Sequence, residues 1–548
     1  MTSPTRPALV SRDAAQRLPR LALLLFCAAY VLPGLFGRDP WRGADLSAFG
    51  QMLAMAQGRA SWLAPALGGV PTDGALLPHW IGAASIALGA PWLDPALAAR
   101  IPFALLLVLT LLAVWRACFN LSLSEPAQPL PFAFGGEANA VDYARAMADG
   151  ALLALIATLG LLWLGHQTTP EIAQLAAVAS FQWALSAGVR RPRSARAGLL
   201  IALPALAASG APTMAMVLAL GAVVLSLRQR EPAWRSLAPW LVGSAALAAL
   251  AAWPVHGWAW RLAPRLDLQS LARLWLWFLW PASALAAWTL WRWRRHLMHW
   301  HLALPLLSFA VALAASVVMD GADRPLLLGL PGIAVLAAFA LPTLRRRAAA
   351  AIDWFSVFFF SLAAFVIWFY YVAAQTGTPA PAANSVARLV RGFEARWSPI
   401  ELLFAAAGTL AWLWLVRWRT SHHRAVIWKS LVLPAGGVAL CWLLAMTLWL
   451  PAIDHARSYR PLIERISRNL PADACIAAPD GSPSLVAALE YHAHRRVDAS
   501  PQAANGRCEV LVLVRRGTAP PPAPVGWQTL ATEQRPTERN EFTLVYRR

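Results

Sequence analysis

The chain alternates between apolar runs of about 20 residues and short polar breaks, the pattern of helices that cross a bilayer. Thirteen runs are read, near 19–36, 99–118, 149–165, 171–188, 197–209, 212–227, 236–253, 270–291, 301–319, 325–342, 353–374, 399–417 and 428–450. Two of them, 197–209 and 212–227, are short and interrupted by Pro204 and Pro212, so they could also form one broken segment. The first, preceded by Arg17 and Arg20, reads either as a cleavable signal peptide or as a retained anchor. The anchor is favoured, because its Leu-rich core runs into Pro33-Gly34-Leu35-Phe36 without a small-x-small cleavage site.

Basic residues check the count independently. Arg6, Arg12, Arg17 and Arg20 precede the first run; Arg190, Arg191, Arg193 and Arg196 follow the fourth. Arg228, Arg230 and Arg235 follow the sixth, Arg292, Arg294 and Arg295 the eighth, and Arg345, Arg346 and Arg347 the tenth. Arg417, Arg419, Arg424 and Lys429 follow the twelfth. Every dense cluster after the first run follows an even-numbered one, so all fall on one side of the membrane, the cytoplasmic side by the positive-inside rule. An odd number of spans then places the C-terminal tail on the opposite, outer side.

Composition agrees. The 548 residues are 58% hydrophobic and 14% charged, against about 25% charged in soluble domains. The 29 Trp suit the membrane–water boundary. A formal charge of +20 would suit nucleic acid, but its grouping between apolar runs identifies topology signals instead, and no nucleic-acid partner is expected. Of five Cys, Cys27, Cys118 and Cys441 lie in or beside apolar runs and read as small hydrophobes. Cys475 and Cys508 lie in the tail, where a disulfide and two free thiols are equally compatible with the sequence.

The expected organisation is a cytoplasmic N-terminus (1–18), a membrane domain (19–451) with an outer loop at 37–98, and an outer α/β domain (452–548). A smaller outer loop near 375–398 contains Gly377-Thr378-Pro379. The tail reads as a helix at Arg457–Leu470, a strand at Cys475–Pro479, a helix at Ser482–His494, and strands at Glu509–Val514 and Phe542–Tyr546. It has no Gly-rich phosphate loop or nucleophile elbow, so an accessory role is expected.

The first outer loop carries the candidate chemistry. Asp45 precedes a stretch with Leu46, Phe49, Met52 and Leu53 on roughly one face, the pattern of a helix lying on the membrane surface. An N-cap role would account for Asp45 structurally; a general base at the membrane surface would account for it functionally. A second surface helix is expected to end near Gly89, after a turn-rich stretch containing Asp73. Across the tight outer turn between the third and fourth runs, His166-Gln167-Thr168-Thr169-Pro170-Glu171, a carboxylate opens an apolar helix. Capping explains Glu171, yet an ionisable group at the mouth of a membrane helix also marks a polar cavity, with His166 beside it to tune it. Outer arginines Arg42, Arg59, Arg261, Arg265, Arg324 and Arg388 suit bidentate binding of phosphate, or a lipid headgroup or carboxylate.

At these residues the chain resembles glycosyltransferase family 39, which holds the protein O-mannosyltransferases and the bacterial aminoarabinose transferases of lipid A. The resemblance runs through Gly43-Ala44-Asp45, Leu53-Ala54, Gly58, Trp62-Leu63-Ala64-Pro65 and Gly69-Val70-Pro71 to Leu77-Pro78-His79-Trp80. It continues in Ala98-Ala99-Arg100-Ile101-Pro102, in Thr169-Pro170-Glu171, and in Asp323-Arg324-Pro325 followed by Leu330-Pro331-Gly332. It implies a polytopic α-helical membrane protein of GT-C type and a sugar donor linked to a polyprenyl phosphate. The acceptor would be a glycan, lipid or protein at the outer face of a bacterial inner membrane. Asp45 matches the family's proposed base. Two departures stand out: the family's Asp-Glu pair is here Asp45-Leu46, and its Glu-Lys-Pro is Asp73-Gly74-Ala75, so aminoarabinose specificity does not carry over.

The expected reaction is inverting transfer, with Asp45 as base and Glu171 as a second carboxylate for acceptor or sugar hydroxyls. His166 would stand beside Glu171, and Arg261, Arg265 and Arg324 would face the phosphate, where developing negative charge needs positive partners. Two acidic groups on one face would also suit a divalent cation, though no ligand constellation calls for one. A lipid transporter or flippase is the alternative; the chain shows no internal repeat and no mid-membrane charge pattern that such proteins use. A non-enzymatic scaffold is the third reading.

Overall fold

The computed structural model describes all residues except 1–8, 72–73, 133–134, 230, 254–257, 259–266, 320, 422–425, 472–473, 507 and 539. Among the described residues, six helices are long and apolar enough to cross a membrane: Pro95–Ser122, Pro232–Ala252, Trp300–Val318, Arg346–Thr376, Pro399–Thr420 and Lys429–Thr447. The other predicted runs fall on shorter helices or on helices that break.

The run at 149–165 divides at Thr158, whose backbone is extended, into Ala140–Ala157 and Leu159–Leu164. The run at 270–291 divides into Leu268–Phe278 and Ala282–Arg292, around Pro281, which has no N–H with which to continue a helix. The two breaks answer each other: the Leu159 amide donates to the Trp280 carbonyl at 3.0 Å. A backbone donor released by one break is thus satisfied at the other, as a hydrocarbon environment demands. The run at 325–342 is likewise two helices, Asp323–Leu327 and Leu330–Ala340.

The chain forms two compact units. One comprises Met1–Pro33, Phe103–Ala364 and Ala405–Leu444; the other comprises Gly34–Pro102, Phe365–Phe404 and Ala445–Arg548. The first outer loop and the C-terminal tail therefore belong to the same unit.

Within that unit the tail forms a five-stranded mixed sheet in the order Val497–Asp498, Ile476–Ala477, Val510–Arg516, Glu541–Arg547, Gln528–Gln534. The first three pair in parallel and the last two join antiparallel. Ala477, Leu511, Leu544 and Tyr546 make its core. Two of these strands escape the sequence pattern. Val497–Asp498 is two residues long, and Gln528–Gln534 is a polar, half-exposed edge strand with no apolar alternation. Helices Leu450–Arg457, Arg460–Ser467 and Pro483–His492 complete the tail. Cys475 and Cys508 are joined by a disulfide, Cα to Cα 4.7 Å, beside the Ile476–Val510 strand pair.

Candidate functional site

Asp45 lies in the helix Ala44–Ala56. That helix starts at Gly43, whose φ of +92° is a conformation open chiefly to glycine. Gly43 is therefore the N-cap, and Asp45, two residues further on, is not. Asp45 instead bends back: its Oδ2 accepts the backbone N–H of Trp41 at 3.0 Å and Nη2 of Arg38 at 3.2 Å.

The apolar face that the sequence assigns to a membrane surface is covered by protein. Leu46, Phe49, Met52, Leu53 and Met55 are all buried in protein. A Cβ placed on Gly50 would stand 2.4 Å from the Cβ of Ala487, so only glycine lets the tail helix Pro483–His492 approach this closely. Phe49 packs edge-on against Tyr491, centroids 4.9 Å apart.

Around Asp45 the structure assembles a charged cluster that local sequence does not reveal. Arg38 has a fully buried side chain and Asp45 a side chain only 2% exposed. The Arg38 guanidinium lies over the Trp41 ring at 4.3 Å. Its Nε and Nη1 are buried and have no hydrogen-bond partner among the described residues. Arg100, equally buried, donates to the carbonyls of Leu35 (3.2 Å) and Arg38. Two guanidiniums thus brace the loop that presents Asp45.

A second carboxylate supports the same loop from the tail. Asp454 accepts the Trp41 indole N–H at 2.6 Å and the Asp39 amide at 3.1 Å. Burial pushes its carboxyl up to about 6, against the pull of these hydrogen bonds. Asp39 is buried too, which would raise its pKa. Arg460 gripping both of its oxygens, with help from Ser458, holds it below the usual carboxylate range instead.

The remaining sequence candidates are placed as follows. Arg42 pairs with Glu538 of the tail at 2.8 Å, and its amide donates to the Arg457 carbonyl. Arg59 pairs with the buried carboxylate of Glu490 and also reaches Gln57. Arg388 is exposed and donates to the Asn384 carbonyl of its own helix. Arg261, Arg265 and Asp73 lie outside the described residues.

In the other unit, Glu171 is the second residue of the helix Pro170–Ser186. Its Oε2 lies 2.8 Å from Nη1 of Arg324, whose Nη2 donates to Gln167 at 3.3 Å. Arg324 is therefore the ion-pair partner of Glu171. His166 is fixed by its ring: Nδ1 meets the Leu162 carbonyl and Nε2 the Tyr30 carbonyl, both at 2.8 Å. The Trp442 ring lies tilted against it, centroids 4.4 Å apart. Among the described residues, no three His, Cys, Asp or Glu side chains come together in a way that could hold a metal ion.

No protein-family model matches the sequence, and no curated protein matches it. Its likeness is to solved structures. The chain is similar to ArnT from Cupriavidus metallidurans bound to undecaprenyl phosphate, with a TM-score of 0.65 at 11% identity over 96% of each chain. The same protein in its apo state gives 0.63 at 12% identity, again over 96% of each. The chain shares the fold of that protein over nearly its whole length.

Proposed function

We propose that the protein is a glycosyltransferase that moves a sugar from a polyprenyl-phosphate donor to an acceptor hydroxyl or phosphate, inverting the anomeric carbon. The observation that carries the reading is the shared fold over 96% of both chains with a protein crystallised with undecaprenyl phosphate. That lipid is of the class such a donor would release.

Asp45 is the base, taking the acceptor proton as oxygen attacks the anomeric carbon. The leaving lipid phosphate is already a stable anion, so it needs positive charge opposite it more than a proton. Arg38 supplies that charge. Its buried, unpartnered N–H groups each cost about 1–3 kcal/mol while unmet, a cost that an anionic ligand would relieve. Arg100 and Asp454 act through the loop, holding Arg38 and Trp41 in place. In the other unit Glu171, paired with Arg324, is the second carboxylate, suited to hydroxyls of acceptor or sugar, with His166 as its neighbour in sequence. The site works at the outer face of a bacterial inner membrane, with the tail on that side.

Purified protein supplied with polyprenyl-phosphate-linked sugars should release free polyprenyl phosphate. Asp45→Asn should lower the rate about 10²- to 10⁴-fold, the usual worth of a general base, with membrane insertion unchanged. An unaltered rate in Asp45→Asn would remove Asp45 from this role. Movement of intact donor across a vesicle bilayer without its cleavage would favour a flippase.

A further inference from the structure

A second feature lies wholly within the other unit. Between the helices Arg20–Val31, Pro399–Ser421 and Lys429–Thr447 runs a cavity of about 330 Å³. Phe26, Ala29, Trp412, Trp418, Trp428 and Leu440 are among its walls, and no charged side chain lines it. It extends from Leu18, just ahead of the first helix, to Ala29 within it; the helical part from Arg20 covers roughly 14 Å at the α-helical rise. That is about half of a hydrocarbon core, the depth of one leaflet.

Its two ends differ. At the Leu18 end, Trp418 and Trp428 stack in parallel, 6.5 Å apart, and Lys429 Nζ sits 5.6 Å from the Trp418 ring. Arg17, Arg20, Arg417 and Arg419 belong to the same end by their positions on the three helices. The carboxylates there are already engaged. Asp149 accepts the Leu18 amide and the Trp115 indole, and Asp353 is gripped by Arg419 and attracts the buried Lys429. The Ala29 end is apolar throughout. Stacked Trp at headgroup depth and an excess of cations on one side of a hydrocarbon slot match an anionic headgroup with a single chain behind it.

We infer that this groove holds one acyl chain of an anionic phospholipid, its headgroup at the exposed Arg20 and Arg417 and its chain running toward Ala29. The basic clusters place this end on the cytoplasmic side, so the lipid comes from the leaflet opposite the proposed chemistry and is no reaction partner.

The test uses full-length protein in nanodiscs of phosphatidylcholine containing a trace of phosphatidylglycerol with a photoreactive acyl chain, mapped by mass spectrometry. Label should concentrate on residues 18–29, 408–418 and 428–443, and exceed that from the matching phosphatidylcholine probe. Arg417→Met should reduce this preference roughly fivefold, the worth of one basic residue near a headgroup. Ala22→Trp or Ala411→Trp should fill the slot and abolish the label. The wild-type comparison of the two probes stands even where a variant misfolds. Equal labelling by both probes, label spread evenly over all lipid-facing helices, or displacement by polyprenyl phosphate but not by phosphatidylglycerol would each overturn the assignment.

Discussion

Nη2 of Arg38 lies 3.2 Å from Oδ2 of Asp45, and both side chains are shut away from solvent. A buried pair of this kind adds little over two apolar residues, yet removing one partner strands a charge, at about 3–5 kcal/mol. Arg38→Met and Asp45→Ala should each lower the thermal midpoint sharply, and the double variant should lose clearly less than the sum. A double-mutant cycle by thermal unfolding reads this; additive losses would mean that the pair is not coupled.

Asp454 gives the unit a pH signature. Its folded pKa of about 6 stands above the ordinary 3.8. Its contribution is therefore fully present below about pH 4 and fades as pH rises through 6, by about 3 kcal/mol in all. Asp454→Asn has no such dependence. The stability of the wild type relative to this variant should fall between pH 4 and pH 7; a constant difference would show that Asp454 titrates normally.

Glu171 and Arg324 should behave otherwise, because both are partly exposed, at 21% and 30%. Such pairs contribute about 1 kcal/mol or less to stability. Glu171→Gln should leave the thermal midpoint almost unchanged. If the carboxylate holds a substrate hydroxyl, kcat/KM should nevertheless drop roughly 10- to 100-fold, the loss of a charge-assisted hydrogen bond.

The Cys475–Cys508 disulfide closes a loop with a sequence separation of 33. On a chain-entropy estimate such a link is worth about 3–4 kcal/mol. Reductant, or a Cys475→Ser/Cys508→Ser variant, should lower the melting transition of the tail. An unmoved transition would show that packing alone holds the sheet.

The membrane helices were legible because burial in lipid imposes one strong pattern, and every apolar run falls on helix. Their breaks were less so: Thr158 is an ordinary residue, and its extended backbone depends on Trp280, more than a hundred positions away. Asp45 and Glu171 stood out as carboxylates beside apolar segments. Their partners did not. Arg38 reads as one more loop arginine until burial is known, and the Trp41 indole meets Asp454 across 413 residues. Arg324 was grouped with phosphate-facing arginines because a basic residue shows its charge but not its partner. The cover over the apolar face Leu46–Leu53 is hidden in the sequence for a related reason. An apolar face shows that something covers it, and here the cover is the tail helix carrying Ala487 rather than lipid.

The central claim is that this protein transfers a lipid-linked sugar with Asp45 at the reacting centre. It is tested most directly by mass spectrometry of envelope glycans and glycolipids from cells that lack the gene, carry the wild type, or carry Asp45→Asn at equal membrane levels. A sugar-sized mass increment present only with the wild type is the predicted result; identical spectra from all three strains would contradict it.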